Sequence, residues 1–195
     1  MQKRKNVLVR IVFALIRRIR HFIVLGKAAE MSEIAIDKGK SSNLLVLCYG
    51  NIYRSPLVEF LLRKSIDSSK TEVKSAGFYD KANRPCDSEY LKLLSKRGYD
   101  LTTHRSNRVS MQDTQWADLI VIMDRKNWDM LLALDKNAQS KVVWIGAFTE
   151  NVRNEVEDPY GMEQGGVNRA IDQIELCVAD LANRINGTKD LSTTA

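Results

Sequence analysis

A cysteine followed six positions later by an arginine and then a serine stands in Cys48-Tyr49-Gly50-Asn51-Ile52-Tyr53-Arg54-Ser55. The apolar run 44–47 precedes it, and residues 55–65 follow with helical spacing, opened by Ser55 and Pro56. The segment therefore reads as a loop from a strand end to a helix N-terminus. Backbone N–H groups and the positive end of the helix dipole converge there, which makes a site for an oxyanion. Gly50 lets the chain curl closely around that point. The planar fork of Arg54 can grip two oxygens of a phosphate. The same positive surroundings favour the thiolate of Cys48, the nucleophilic form. Ser55 can donate a hydrogen bond to that sulfur and steady it as a leaving group. Bare Cys-x5-Arg spacing also fits a buried structural Cys beside a surface Arg. Strand, glycine and Ser-Pro together select the phosphate-attacking loop. Ester cleavage needs in addition an acid for the leaving oxygen. Asp158 in Glu157-Asp158-Pro159-Tyr160 is the candidate, with Pro159 stiffening its loop; taken alone, Asp-Pro is an ordinary turn signal.

The elements that must position these groups alternate. Strands are expected at 44–47, 72–75, 119–123 and 142–145, and helices at 55–65, 87–97, 125–134 and 166–185. Four strands separated by helices predict an α/β fold, a four-stranded parallel sheet with helices on both faces. Right-handed crossovers place the strand-to-helix loops along one sheet edge, where ligands bind. The domain spans 43–186, and 187–195 reads as a flexible tail.

The stretch LVLCYGNIYRSP, Ser75-Ala76-Gly77 after the second strand and VEDPYG before the last helix together resemble the low-molecular-weight protein tyrosine phosphatases, in order and spacing. The resemblance implies phosphotyrosine hydrolysis without a metal or other cofactor. It implies Cys48 as nucleophile through a phosphocysteine intermediate, Arg54 as phosphate clamp, and Asp158 as general acid and then base. Asn51, Ser55, Ser75 and His104 match a hydrogen-bond network that shapes the loop. Tyr49 and Tyr160 match the pocket wall, and the loop residues Gly50, Ile52 and Tyr53 complete the substrate-binding set. Ile52 resembles the phosphotyrosine branch, where the phosphoarginine branch typically has Thr. Tyr53 departs from members that carry a second, protective Cys there, and Gly161 stands where a second aromatic residue often follows. Arsenate reductase shares this fold and loop but needs two further closely spaced cysteines. A non-catalytic membrane-associated phosphate-binding module is the remaining alternative, and such a module has no need to keep Cys, Arg and Asp together. Similar bacterial proteins oppose tyrosine kinases of polysaccharide synthesis or export, which makes a phosphotyrosine protein the expected partner.

Charge separates the arm from the domain. The net charge of +6 divides into +7 over residues 1–44, from ten Lys/Arg and three Asp/Glu, and −1 over the other 151 residues. The basic pI thus says nothing of a nucleic-acid face on the domain, and no nucleic-acid partner is expected. Residues 7–25 form an amphipathic helical pattern, with apolar positions in one arc and Arg10, Arg17, Arg18, Arg20 and His21 in the opposite one. The longest unbroken apolar run, 11–16, is too short to span a bilayer. The helix either packs on the domain or lies on an anionic membrane; the absence of acidic residues before Glu30 favours the membrane. Residues 26–43 read as a linker, and Met31 offers an alternative start. Three scattered cysteines suit a reducing, cytoplasmic setting, peripheral to the inner membrane face.

Overall fold

The computed structural model describes residues 19, 22–38, 42–67, 69–150, 152 and 154–192, with backbone alone for 188–192. Most of the 7–25 segment therefore lies outside the described residues.

The elements run in the order α1 (Ala28–Lys38), β1 (Asn43–Cys48), α2 (Arg54–Ser65), β2 (Glu72–Gly77), α3 (Ser88–Lys96) and α4 (Met111–Trp116). They continue with β3 (Leu119–Ile122), α5 (Arg125–Leu134), a 3-10 turn (Lys136–Lys141), β4 (Val142–Trp144) and α6 (Gln164–Ser192). The four strands form one parallel sheet in the order β2-β1-β3-β4. The sheet-forming residues sort by parity, as pleating requires. Leu44, Val46 and Cys48 of β1, with Leu119 and Val121 of β3, join the core beneath α2, α3 and α6. Leu45, Leu47, Ile120, Ile122, Val142 and Trp144 point to the opposite core with Trp128 and Leu131 of α5. Both faces of β1 and β3 are buried, which explains their unbroken apolar runs.

The segment read as a linker is instead a helix. In α1, Ala28 enters the core on the α5 side, whereas Ala35 and Ile36 enter the core on the α6 side. The helix thus straddles the outer edge of β4. Ser32, between them, accepts a hydrogen bond from the Trp144 N–H at 2.9 Å and donates to Ala28 O at 2.7 Å. Arg184 of α6 pairs with Glu33 at 2.7 Å and Asp37 at 3.6 Å. An exposed strand edge is thereby covered. Small residues at 28, 32 and 35 allow the close approach and hide the helix from hydrophobic periodicity. The tail is also shorter than expected: α6 continues past Gly187 to Ser192, and Asn186 donates to Ser65 O at 3.1 Å. One glycine costs a helix only about 1 kcal/mol, too little to end it without a proline.

Among the described residues, no helix is long and apolar enough to cross a membrane.

Candidate active site

Cys48 ends β1 and is 2% exposed. Its Sγ accepts hydrogen bonds from the Asn51 N–H at 3.2 Å and the Ser55 hydroxyl at 3.0 Å. Tyr53 stands at the N-cap of α2 but offers no side-chain cap, so the first-turn N–H groups face the loop uncapped, as an anion site requires. The structure brings every loop residue singled out in the sequence to this one place.

The tight point of the loop is not Gly50. Asn51 takes the left-handed conformation, φ 50°, which Asn tolerates better than most residues. Its side chain is buried and holds three elements together. Nδ2 donates to Ser55 Oγ and to Ser75 Oγ, both at 2.9 Å, and Oδ1 accepts from the Asn107 N–H at 2.8 Å. Ser75 in turn donates to Glu59 at 2.5 Å. His104 Nε2 lies 2.9 Å from Asn51 O; a carbonyl only accepts, so the ring nitrogen donates. Close approach is needed at Gly77 instead. A Cβ there would sit 2.8 Å from Tyr49 O and 2.9 Å from Asn51 N.

Arg54 is 1% exposed. One terminal nitrogen donates to Asp124 at 2.5 Å and to Val156 O at 3.1 Å; the other donates to Asp158 Oδ2 at 2.7 Å. Burial alone would lower this guanidinium. The opposing charges of Cys48, Asp124 and Asp158 outweigh burial and raise it above its ordinary value. Among the described residues its Nε–H is buried without a hydrogen-bond partner. Asp158 stays 43% exposed and so remains open to the pocket.

The loop floors a cavity of about 440 Å³ lined by Cys48, Tyr49, Gly50, Ile52, Tyr53, Arg54, Tyr79, Arg84, Lys126, Asp158 and Tyr160. Tyr53, in the place of a second loop cysteine, packs on Tyr90 at 4.8 Å between ring centroids and faces Tyr160 edge-on at 6.4 Å. Burial, then the neighbouring Asp87, pushes its phenol up to about 12. Tyr160 is 74% exposed, so this wall is open, as Gly161 after it suggests.

Cys86 lies in the core with Cys48, and Cys177 is also buried. Burial pushes the Cys86 thiol up to about 12 and the Cys177 thiol up to about 11. Sequence reasoning missed Asp124, Asn107, Glu59, Tyr79, Arg84 and Lys126. Asp124 had a signal: it stands two residues after the end of β3 and accepts from the Asn127 N–H at 2.7 Å to cap α5, at the sheet edge where ligands gather.

Residues 43–191 match the family model described as low molecular weight phosphotyrosine protein phosphatase. The chain is 29% identical over 147 residues to the low molecular weight protein-tyrosine-phosphatase Etp of Escherichia coli K12, covering 75% of this chain and 97% of that protein. A solved protein tyrosine phosphatase from Entamoeba histolytica, with Hepes in its active site, superposes with a TM-score of 0.69. It is 30% identical, covering 76% of this chain and 99% of that one. The YwlE arginine phosphatase from Geobacillus stearothermophilus gives a TM-score of 0.68 at 26% identity, covering 77% and 96%.

Proposed function

The chain belongs to the low molecular weight phosphotyrosine protein phosphatase family and is an enzyme of that class, and we propose that it cleaves phosphotyrosine through a phosphocysteine intermediate on Cys48. The observation that carries this reading is Arg54, buried between two carboxylates with its Nε–H unpartnered, next to a sulfur that already accepts two hydrogen bonds. In the first step Sγ attacks phosphorus and the bond to the phenolic oxygen breaks. Asp158 delivers its proton to that oxygen. In the second step Asp158 takes a proton from water, the water oxygen attacks phosphorus, and Sγ departs as thiolate, steadied by the Ser55 hydroxyl. Arg54, the loop N–H groups and the helix N-terminus hold the phosphoryl oxygens throughout, where charge develops. Asp124 keeps the guanidinium in register.

Two families of relatives, tyrosine and arginine phosphatases, share the fold. Ile52 and the walls of Tyr49, Tyr53 and Tyr160 support an aryl substrate, which an apolar, ring-lined slot holds better than a short alkyl phosphate. Cys86 and Cys177, both buried and held as thiols, give no support to a cysteine relay for arsenate. Similarity to bacterial phosphatases such as Etp supports a tyrosine-phosphorylated bacterial protein as substrate; a tyrosine kinase of polysaccharide synthesis or export is our candidate.

The reading is tested with matched phosphotyrosine, phosphoserine and phosphoarginine peptides. Wild type should turn over the first and spare the other two, and Cys48→Ser should bind phosphate without turnover. Preference for phosphoarginine would overturn the assignment.

We also propose that the basic arm holds the enzyme at an anionic membrane surface. Its charge pattern supports this, as do Ile19, Phe22 and Ile23, which are exposed where the arm enters the described structure. Full-length chain should sediment with vesicles containing phosphatidylserine and stay in solution with neutral ones; equal behaviour with both would remove this role.

A further inference from the structure

Four side chains form a continuous row across one side of the pocket mouth. Lys126 Nζ lies 3.7 Å from the centroid of the Tyr49 ring. Tyr49 and Tyr79 are tilted against each other at 5.8 Å, and the Arg84 guanidinium sits 4.3 Å above the Tyr79 ring. All four line the same cavity as Cys48.

The two cations differ from the buried Arg54. Lys126 is exposed and Arg84 half-buried. Arg84 donates to the backbone oxygens of Gly50 and Lys81, at 3.0 Å for Lys81. Among the described residues neither cation has a carboxylate within salt-bridge distance, whereas Arg54, Arg63, Arg97, Arg125 and Arg184 all do. Aromatic faces hold both cations in place and satisfy them only in part. Two uncompensated positive charges thus remain beside the entrance. Phosphate itself belongs at the pocket floor, where Arg54 and the loop amides converge. The mouth cations stand instead where residues neighbouring the phosphotyrosine would pass.

We propose that Lys126 and Arg84 form a specificity subsite for carboxylate side chains flanking the phosphotyrosine, so that the enzyme prefers phosphotyrosine set in acidic sequence. The proposal rests on the phosphotyrosine reading above. The two cations lie at opposite ends of the Tyr49–Tyr79 pair, so each takes its own carboxylate. Lys126 carries the larger effect because, among the described residues, only the Tyr49 ring engages its ammonium. A flanking lysine on the substrate would meet like charge and be disfavoured.

The experiment compares kcat/KM on peptides identical except for Glu, Gln or Lys on either side of phosphotyrosine. Wild type should prefer Glu over Gln by about 2- to 5-fold per carboxylate, the range of an exposed ion pair. The preference should shrink at 0.5 M salt, where the screening length is only a few ångströms. Lys126→Gln should lower the Glu-to-Gln ratio and raise KM on the Glu peptide more than it lowers kcat, while Lys126→Arg should restore the ratio. Arg84→Lys keeps charge where Arg84→Gln loses it, which separates the charge from the guanidinium's grip on Gly50 O. Equal rates on Glu and Gln peptides, or a ratio untouched in Lys126→Gln, would overturn the subsite and leave the phosphotyrosine reading standing. No turnover of any phosphotyrosine peptide would overturn both.

Discussion

Arg54 shows how closely function and electrostatics are bound at a single residue. A guanidinium this deeply buried survives only because carboxylates flank it. Asp158 must also move a proton in the proposed mechanism, so Asp124 is the partner free to serve orientation alone. Asp124→Asn keeps an acceptor but removes a charge. A hydrogen bond to a charged group is worth about 1.5–3 kcal/mol, so phosphate inhibition should weaken by roughly ten- to a hundred-fold. Asp124 has a second task, capping α5 through its other oxygen. Asp124→Ala loses that cap as well and should melt lower than Asp124→Asn by about 1 kcal/mol of stability. Inhibition constants for inorganic phosphate, beside calorimetric melting of both variants, separate the two tasks. If Asp124→Asn inhibits as wild type does, Asp124 does not hold the clamp.

At the scale of elements, α1 is the part of the chain whose importance the sequence conceals. It covers the β4 edge with small residues and one hydroxyl. Ser32→Ala would leave the Trp144 N–H buried without its acceptor, at a cost of about 1–3 kcal/mol. A chain beginning at Met31 would also lose Ala28 from the core, together with the contact from Asn154 Nδ2 to Leu25 O at 3.2 Å. Both should melt below the full-length protein, and the shortened chain should do so more; equal melting temperatures would show the edge needs no cover. The sequence reading took this stretch for a linker because a buried face of Ala and Ser carries almost no hydrophobic signal. By contrast β1 and β3 were legible nearly to the residue, since both-face burial writes continuous apolar runs, and α5 was legible from its helical spacing. The loop was legible because its chemistry is local in sequence. Arg84 and Lys126 were not, because they reach the pocket from segments remote in sequence, and only strand order brings them to one edge. The left-handed site at Asn51 was not legible for a different reason: position in the loop sets φ, and a non-glycine residue occupies it.

Over the whole molecule, the sheet divides a core under α2, α3 and α6 from one under α5, with α1 contributing to both, and the first seals several acidic protons from water. Cys86, Tyr90 and Cys177 are buried there, and Tyr53 packs against them. Burial is the leading cause for each in raising the thiols to about 12 and 11, the Tyr53 phenol to about 12, and the Tyr90 phenol well above its ordinary range. In an unfolded chain the same thiols and phenols titrate at their ordinary values of 9.0 and 10.0. The unfolded state therefore binds fewer protons than the folded one as pH rises past about 9. Since stability increases with pH only where the unfolded state binds more protons, the sign here is negative. Stability from these groups is fully present below pH 9 and is lost progressively between about pH 9 and 12. Melting temperatures recorded from pH 8 to 11 at constant ionic strength should fall through the upper half of that range. Cys86→Ala removes one of the sealed protons and should flatten the descent even though it lowers stability at pH 8 by leaving a small void. A descent equally steep in Cys86→Ala would mean that the thiol is not held protonated by its place in this core.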